Sequence, residues 1–274
     1  MILVTGATGN VGAEVVATLI AAGTPVRALQ RKGEAPPGTQ AVTGDLNEPQ
    51  SLGPALAGVD AVFLLPGYQD MPGVLDQVRR AGAARVVLLS GGSAGDGDPD
   101  NAVSRYMAES EAAVRESGVP WTFLRPTAFM SNSLRWAPQL RKGDVVHEPF
   151  AGVRVANVDP HDIAAVAVQA LLTPAHEGQI YHLSGPESLL PADRLQVLGD
   201  VLGRDLVLRP QTNDEARAEM SAAMPAKYVD AFFRFYVDGT LDEAKVLPTV
   251  EQVIGRPPRT FRQWAVEHAE AFAS

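Results

Sequence analysis

The stretch of sequence that decides the fold is Met1-Ile-Leu-Val-Thr-Gly-Ala-Thr-Gly-Asn-Val-Gly12. Residues 2–4 predict a short buried β-strand, and Gly6, Gly9 and Gly12 follow it at intervals of three residues. An amphipathic run at helical spacing comes next, formed by Val11, Val15, Val16, Leu19 and Ile20. A strand, a glycine-rich bend and a helix in this order are what a phosphate-binding turn requires, because open N–H groups at the helix start can face phosphate oxygens.

Each of the three glycines has its own expected role in such a turn. Gly6 permits the tight bend, Gly9 lets the backbone approach a pyrophosphate, and Gly12 lets the helix pack closely on the strand. Three spaced glycines alone can be an ordinary turn, but the flanking strand and helix favour a nucleotide site. We therefore predict that a dinucleotide binds at this turn.

The end of the second predicted strand, residues 25–29, indicates which dinucleotide is preferred. An acidic residue there hydrogen-bonds the 2′-hydroxyl of NAD, whereas arginine accommodates the 2′-phosphate of NADP. Residues 29–32 contain no acid, but they include the adjacent cations Arg31 and Lys32. Both could be ordinary solvated charges, yet a guanidinium presents a fork of donors that matches phosphate. We predict that NADP(H) is preferred over NAD(H).

Strand and helix patterns continue to alternate through the first half of the chain. Further strands are predicted at residues 40–43, 61–65, 85–89 and 121–124. Short links between the elements imply parallel strands joined by right-handed crossovers. We expect an α/β fold, a Rossmann-type doubly wound parallel sheet, with a smaller, mainly helical C-terminal part that binds the substrate.

The alternation stops after Arg125-Pro126, and this change suggests a domain division. Residues 1–126 are expected to form the NAD(P)-binding Rossmann domain, to whose sheet residues 154–184 return. Residues 127–274 are expected to form the smaller part that binds a substrate or a partner. Its first segment carries Phe129, Met130 and Trp136, which either line a substrate pocket or are packed core.

The composition argues against several other classes of protein. The chain has no cysteine, so disulfides, thiolate metal sites and cysteine nucleophiles are excluded, and its five histidines lack ligand spacing, so no metal site is predicted. A net charge of −9 without a basic run argues against binding to nucleic acid or anionic membranes. No segment approaches the roughly 18 apolar residues of a membrane span. With a first strand that begins at Met1, we expect a cytoplasmic protein without a signal peptide.

Six motifs along the chain are specific in combination. They are Thr5-Gly-Ala-Thr-Gly-Asn-Val-Gly12, Gly44-Asp-Leu46, Gly58-Val-Asp-Ala-Val-Phe63, Trp121-Thr-Phe-Leu-Arg-Pro126 with Asn132, Asp159-Pro-His-Asp-Ile163, and Gly255-Arg-Pro-Pro-Arg-Thr-Phe261. Together they resemble the NmrA-like family of atypical short-chain dehydrogenase/reductases, and the match runs nearly end to end. That family includes NADPH-dependent quinone and dye reductases, and also regulators that bind the dinucleotide without turning it over.

The resemblance implies roles for residues around the cofactor, in addition to the turn glycines Gly6 and Gly12. The pyrophosphate would be held by Thr8, Gly9, Asn10 and Val11. The 2′-phosphate would be held by Arg31, beside Lys32. The residues next to the adenine would be Asp45 and Leu46. Those nearer the nicotinamide would be Pro66, Gly67 and Ser90.

One departure from the typical short-chain dehydrogenases concerns their Tyr-x-x-x-Lys pair, in which lysine lowers the tyrosine pKa. None of the five tyrosines here has a lysine four residues later, and Tyr106, on the corresponding predicted helix, is followed by Ser110. A tyrosine without this assistance has a pKa of about 10 and is a poor base at neutral pH. Alcohol oxidation is therefore not expected, and Tyr106 remains a candidate catalytic proton donor only.

Two functions stay open at this point. The first is a reductase that passes hydride from NADPH to a quinone-like or related conjugated small-molecule acceptor, with the proton supplied by solvent or Tyr106. The second is a non-catalytic protein that senses NADP(H) and signals to a protein partner. The missing lysine fits both, but the quinone and dye reductases of the family also lack it, which favours the enzyme. A reductase of a biosynthetic pathway would share this chemistry with a different pocket.

Overall fold

A parallel β-sheet forms the centre of the computed structural model, which describes residues 1–95 and 98–273. Across these residues the sheet has seven strands: β1 (Ile2–Val4), β2 (Val26–Gln30), β3 (Gln40–Thr43), β4 (Ala61–Leu64), β5 (Arg85–Leu89), β6 (Trp121–Pro126) and β8 (Gln179–Leu183). Their order is β3-β2-β1-β4-β5-β6-β8, and every neighbouring pair is parallel. The central strands are almost wholly apolar because both faces of the sheet are covered.

Helices cover the two faces and build the C-terminal part. They are α1 (Asn10–Ala21), α2 (Gly53–Leu56), α3 (Met71–Arg80), α4 (Ala102–Glu116), α5 (Ala137–Leu140), α6 (Pro160–Leu172), α7 (Pro191–Leu202), α8 (Asn213–Ala223), α9 (Ala226–Tyr236), α10 (Thr249–Ile254) and α11 (Phe261–Glu267). Short 3-10 helices lie at Pro49–Leu52, Gly92–Ala94, Met130–Trp136, Pro174–His176 and Ala269–Phe272.

Two separate cores lie on the two faces of the sheet. One is formed with α1 and α6 and contains residues such as Val15, Leu19 and Ile163. The other is formed with α2 to α4 and contains Leu56, Leu75 and Val114. The predicted α/β fold with a doubly wound parallel sheet is confirmed.

The chain leaves the sheet after β6 and returns to it once. Strand β8 pairs with β6, with Phe123 opposite Ile180, although more than fifty residues separate the two strands in sequence. The excursion contains β7 (Val145–Glu148), which pairs in parallel with β9 (Val207–Pro210) in a second, two-stranded sheet that the sequence patterns did not predict. A third core, centred on Trp136, Leu195 and Trp264, holds this C-terminal part together.

Two of the sequence motifs meet where the C-terminal segment packs on α6. The Asp159 side chain caps α6 by accepting a hydrogen bond from the backbone N–H of His161 at 2.9 Å. The fully buried Asp162 accepts a hydrogen bond from the backbone N–H of Arg259 and pairs with Arg256 at 2.8 Å. Capping and packing therefore account for both acids of the Asp159–Ile163 motif.

Candidate active site

The N-terminal turn requires glycine at two positions for its own geometry. Gly6 has a φ of +62°, and a Cβ there would lie 2.5 Å from a methyl carbon of Leu65. A Cβ on Gly12 would overlap the carbonyl group of Gly6, because the helix packs directly on the turn. Gly6 and Gly12 therefore shape the turn whether or not a ligand binds.

Gly9 differs from the other two glycines, because its backbone is in the extended region that any residue can adopt. A Cβ there would meet only the Gly6 carbonyl oxygen, at 3.3 Å. Helix α1 begins at Asn10 without a side-chain cap, so the N–H groups of its first turn have no side-chain acceptor. Thr8, Gly9 and Asn10 are exposed around this opening, whereas Val11 is buried and offers only its backbone. This arrangement can bind an anion such as a pyrophosphate.

A cleft of about 920 Å³ lies beside this turn, at the carboxyl ends of β1, β2 and β3; we call it the cofactor cleft. Its walls include six residues of the expected cofactor site, namely Gly6, Thr8, Arg31, Lys32, Asp45 and Leu46. They also include Leu29, Glu48, Ser51, Leu65 and Tyr68, which the sequence did not single out. Tyr68 directly follows Pro66-Gly67 at the end of β4. Its position after a predicted strand could have indicated that it lies in the cleft.

The two cations after β2 are exposed in this cleft. Arg31 and Lys32 make no ion pair with any residue that the structure describes. Burial raises the pKa of Tyr68, and the nearby Arg31 guanidinium opposes that rise. Arg31 is thus close to Tyr68 inside the cleft and is free to meet an anionic ligand.

The turn after β3 is shaped by its own hydrogen bonds. The backbone N–H of Asp45 donates to the Ser51 hydroxyl at 2.9 Å, and the Asp45 carboxylate accepts from the backbone N–H of Asn47 at 2.9 Å. Leu46 is buried beneath the turn. Asp45 and Leu46 are therefore held in place at the cleft without help from a ligand.

Ser90 belongs to a buried network at the ends of β5 and β6. Its hydroxyl donates to Glu111 Oε1 at 2.7 Å, and Arg125 donates to both oxygens of the same carboxylate, at 2.8 and 2.7 Å. Burial by itself would raise the pKa of Glu111, but hydrogen bonds from Arg125 and Ser90 outweigh it and hold the pKa below its ordinary value. The Ser90 side chain is thus committed to the protein. Sequence reasoning missed this role of Glu111 and Arg125, for which a charged residue directly after a predicted apolar strand was the available signal.

Tyr106 packs against the loop that follows β4. Gly67 in that loop has a φ of +86°, and a Cβ there would lie 3.1 Å from the Tyr106 ring. The rings of Tyr106 and Tyr228 also form a T-shaped pair, with centroids 6.4 Å apart. Burial raises the pKa of Tyr106 above its ordinary value, so the phenol is protonated at neutral pH. Pro66 and Gly67 lie beside it at the carboxyl end of β4.

A second space of about 640 Å³ lies beyond the end of β6; we call it the substrate cavity. Its volume suits a small molecule. Its walls come from the segment after β6, the end of β7, and helices α7 to α9; they include Ala128, Ser131, Asn132, Arg135, Glu148, Phe150, Val153, Asn157, Arg194, Met220, Met224, Phe232 and Tyr236.

Phe129, Met130 and Trp136, for which the sequence leaves a pocket wall and packed core as alternatives, are not among the residues that line this cavity. Met130 and Trp136 are fully buried, and the Trp136 indole donates to Glu148 at 2.8 Å; Phe129 is half-buried against the core of the sheet. The reason is the 3-10 helix Met130–Trp136, in which residues three apart share a face. Met130 and Trp136 occupy its core face, whereas the exposed Asn132 and Arg135 occupy the face that lines the cavity.

Phe150 in the cavity wall has an unusual backbone. Its φ of +54° is rare for a residue with a side chain. The ring lies against Phe233 and Tyr236, with centroid distances of 5.2 and 5.3 Å. Such strain persists only where the surroundings fix it, and it is common at binding sites.

The described part of the chain contains no cluster of three acidic or histidine side chains arranged to hold a metal ion. Within the same residues, no helix has both the length and the apolar character needed to cross a bilayer.

Comparisons with known proteins agree with this architecture. A family model described as NAD(P)H-binding matches residues 6–174. The chain is 44% identical to the (4-alkanoyl-5-oxo-2,5-dihydrofuran-3-yl)methyl phosphate reductase of Streptomyces griseus, over 100% of this chain and 99% of that protein. It is 37% identical to the NAD(P)H azoreductase of Xenophilus azovorans, over the full length of both.

A solved structure extends the similarity to the fold. The NADPH-dependent quinone oxidoreductase of Escherichia coli superposes with a TM-score of 0.78, covering 97% of this chain and 99% of its own, at 21% identity. The resemblance predicted from the motifs is thereby confirmed. The chain belongs to the NAD(P)H-binding family, has a quinone oxidoreductase among its structural neighbours, and is an NAD(P)H-dependent reductase.

Proposed function

We propose that this reductase transfers hydride from NADPH to a quinone-like or related conjugated small molecule in the substrate cavity. The observation that carries the proposal is the position of two spaces at the same edge of one sheet. The cofactor cleft lies at the ends of β1 to β3, and the substrate cavity begins where β6 ends. Ligands of open α/β sheets bind along this carboxyl edge.

Individual residues take the cofactor roles that their positions support. The open start of α1 binds the pyrophosphate through the backbone of Thr8, Gly9, Asn10 and Val11. The unpaired Arg31 and Lys32 favour the 2′-phosphate of NADPH over the hydroxyl of NADH. Asp45 and Leu46 adjoin the adenine, and Pro66 and Gly67 lie toward the nicotinamide. Ser90 acts indirectly, through its bond to Glu111.

The proposed division of labour follows the path of the chain. Residues 1–126, together with the returning segment 154–184, bind the cofactor. The remainder of residues 127–274 builds most of the cavity for the acceptor, to which Val155 and Asn157 of the returning segment also contribute. Loops and helices after β6 can therefore change the acceptor without disturbing the cofactor cleft.

The chemistry needs little from the side chains. Bound NADPH supplies the hydride, and the protein supplies proximity and orientation. The names of the relatives describe an unsaturated lactone, an azo compound and a quinone, which are all conjugated acceptors. A protonated Tyr106 or solvent provides the proton, and no lysine is needed to generate a tyrosinate.

The test is steady-state NADPH oxidation with a panel of conjugated acceptors: a simple quinone, an azo dye and an acyl dihydrofuranone. We expect turnover with one or more of them, and none in the reverse direction with simple alcohols and NADP⁺. If the protein binds NADPH tightly but oxidises it with no member of the panel, the proposal fails and an NADP(H)-sensing function with a protein partner replaces it.

A further inference from the structure

One wall of the substrate cavity contains a buried arginine without an acidic partner. Arg194, near the start of α7, is only 5% exposed. One of its terminal nitrogens donates to the Ser133 hydroxyl at 3.1 Å, and its guanidinium lies 5.4 Å from the centre of the Trp136 ring. Its Nε has no hydrogen-bond partner, and no described carboxylate lies within ion-pair distance. The charge therefore faces a cavity without being neutralised by contact.

The carboxylate whose charge acts on Arg194 is already occupied by other donors. Glu148 is buried and pairs with Arg135, and it also accepts the Trp136 indole N–H at 2.8 Å. Burial lowers the pKa of Arg194 to about 10, while the charge of Glu148 opposes that shift. Arg194 thus stays protonated at neutral pH. Arg135 and Glu148 compensate each other and leave the charge of Arg194 without a contact partner among the described residues.

A buried charge without a partner is costly, so its retention beside a cavity calls for a partner of opposite sign. The cavity is also lined by Ser131, whose buried hydroxyl has no hydrogen-bond partner among the residues that the structure describes. The rest of the lining is mixed: Val153, Met220 and Phe232 form an apolar surface, and the acid Glu219 accepts a hydrogen bond from Gln211. The cavity therefore combines a cationic wall with an apolar surface.

We infer that the acceptor is an anion, whose carboxylate or phosphate binds Arg194 while its conjugated apolar body lies against Val153, Met220 and Phe232. This inference rests on the proposed function, because it assigns a substrate class to the same cavity. It goes further by naming Arg194 as the residue that selects for charge. The guanidinium fork suits either oxyanion.

Binding can be measured without turnover. We choose para-methyl red, an azo benzoate, and its methyl ester, which share one conjugated body and differ in charge. Calorimetric titration of the NADP⁺-saturated protein should show an affinity for the acid about 10- to 150-fold higher than that for the ester, as expected for one charged hydrogen-bonded contact. Equal affinities of the wild-type protein for acid and ester would overturn the inference.

Variants then assign the effect to Arg194. Arg194→Met should reduce the affinity for the acid to that for the ester and leave the ester unchanged, whereas Arg194→Lys should retain part of the preference. Arg262→Gln is the matched control, because Arg262 is an exposed arginine of the same part of the chain, paired with Asp200 at 2.8 Å. A preference for the acid that survives in folded Arg194→Met would also overturn the inference; if that variant does not fold, the wild-type comparison decides.

Competition experiments show whether the anion is a carboxylate or a phosphate ester. Together with the activity assay, they also separate the anion site from the proposed reductase activity. Displacement of para-methyl red by phenyl phosphate in preference to benzoate would assign the site to phosphate esters, and the reverse order to carboxylates. Displacement by neither would count against an oxyanion at Arg194. If the acid binds selectively but no acceptor supports NADPH oxidation, the anion site stands while the proposed reductase activity on such acceptors fails.

Discussion

The hydroxyl of Ser110 accepts a hydrogen bond from the backbone N–H of Gly67 at 3.0 Å and donates one to the Tyr106 carbonyl at 2.7 Å. Ser110 occupies the position four residues after Tyr106 where a Tyr-x-x-x-Lys pair would place an amine. Here that position fastens α4 to the loop after β4. It therefore contributes to the shape of the site and not to proton transfer.

Ser110→Ala should destabilise the protein by leaving the Gly67 N–H without its partner. Ser110 is buried, so we expect a loss of about 1–3 kcal/mol in the free energy of unfolding. Urea denaturation measures this loss. Ser221→Ala, at an exposed position of α8, is the control and should change stability little. Equal stability of the two variants would show that the Gly67 N–H readily finds another acceptor.

The buried Glu111 carboxylate should contribute more to folding stability than the Ser110 hydroxyl. Glu111→Gln leaves Arg125 without its ion pair, and breaking such a buried pair typically costs about 3–5 kcal/mol of folding stability. Exposed Glu116 lies on the same helix, so Glu116→Gln serves as the control. Unfolding titrations at neutral pH should separate the two variants clearly.

The loss of stability caused by Glu111→Gln should depend on pH. The pKa of Glu111 in the folded protein is held below its ordinary value of 4.5. The ionised carboxylate therefore makes its full contribution to folding stability above pH 4.5, and this contribution is lost as pH falls through the pKa of the folded protein. The stability gap between wild type and Glu111→Gln should therefore narrow as pH decreases below about 4.5. A gap that stays constant from neutral to acidic pH would contradict a charged Glu111.

Gly9 and Gly12 of the first turn should respond differently to substitution. Gly12→Ala should impair folding, because its Cβ would overlap the Gly6 carbonyl, whereas Gly9→Val should leave the protein folded. A side chain on Gly9 would occupy the space of the pyrophosphate, so binding of NADPH should be abolished. Circular dichroism combined with a cofactor titration tests both. Normal cofactor binding by Gly9→Val would mean that the phosphates do not approach this turn.

Arg31 should set the preference for NADPH. Removing one charge-assisted contact to the 2′-phosphate costs about 1.5–3 kcal/mol, or roughly 10- to 150-fold in affinity. Arg31→Ala should therefore weaken NADPH binding by that factor and leave NADH binding nearly unchanged. Fluorescence titration with both cofactors is the measurement. Equal affinities of the wild type for the two cofactors would refute the preference at once.

The parts of the fold that sequence predicted are those with strong local patterns. The first turn combines glycine spacing with an apolar strand, and strands β3 and β5 lie at the predicted residues 40–43 and 85–89. In contrast, β7 and β9 are short and partly exposed, and they pair across about 60 residues of sequence. Nothing local to either segment specifies that partner.

Side-chain partnerships were the least predictable part of the site. The Glu111–Arg125 pair depends on how α4 packs against β6, which no spacing rule encodes. The apolar pattern near Trp136 was visible, but the 3-10 geometry that turns Met130 and Trp136 into the core was not. Arg194 resembles any solvated helical charge until the fold buries it beside Trp136.

The last prediction concerns Tyr106. Burial raises its pKa, so it can donate a proton at neutral pH but cannot act as a tyrosinate base. Reduction of a quinone is driven by aromatisation, and solvent can protonate the developing quinol oxygen. General acid catalysis contributes about 100- to 10,000-fold where a reaction depends on it. We expect Tyr106→Phe to lower turnover by less than about tenfold, below that range.

The measurement is steady-state NADPH oxidation with a simple quinone. Tyr181→Phe is the matched control, because Tyr181 lies on β8 and its hydroxyl forms a hydrogen bond with His176 at 2.8 Å. Tyr106→Phe retains the ring that packs on Gly67, so cofactor binding should be preserved in both variants. A collapse of turnover in Tyr106→Phe alone, with NADPH affinity intact, would make this phenol the catalytic acid. It would also mean that the enzyme depends on a proton donor even though Ser110 replaces the assisting lysine.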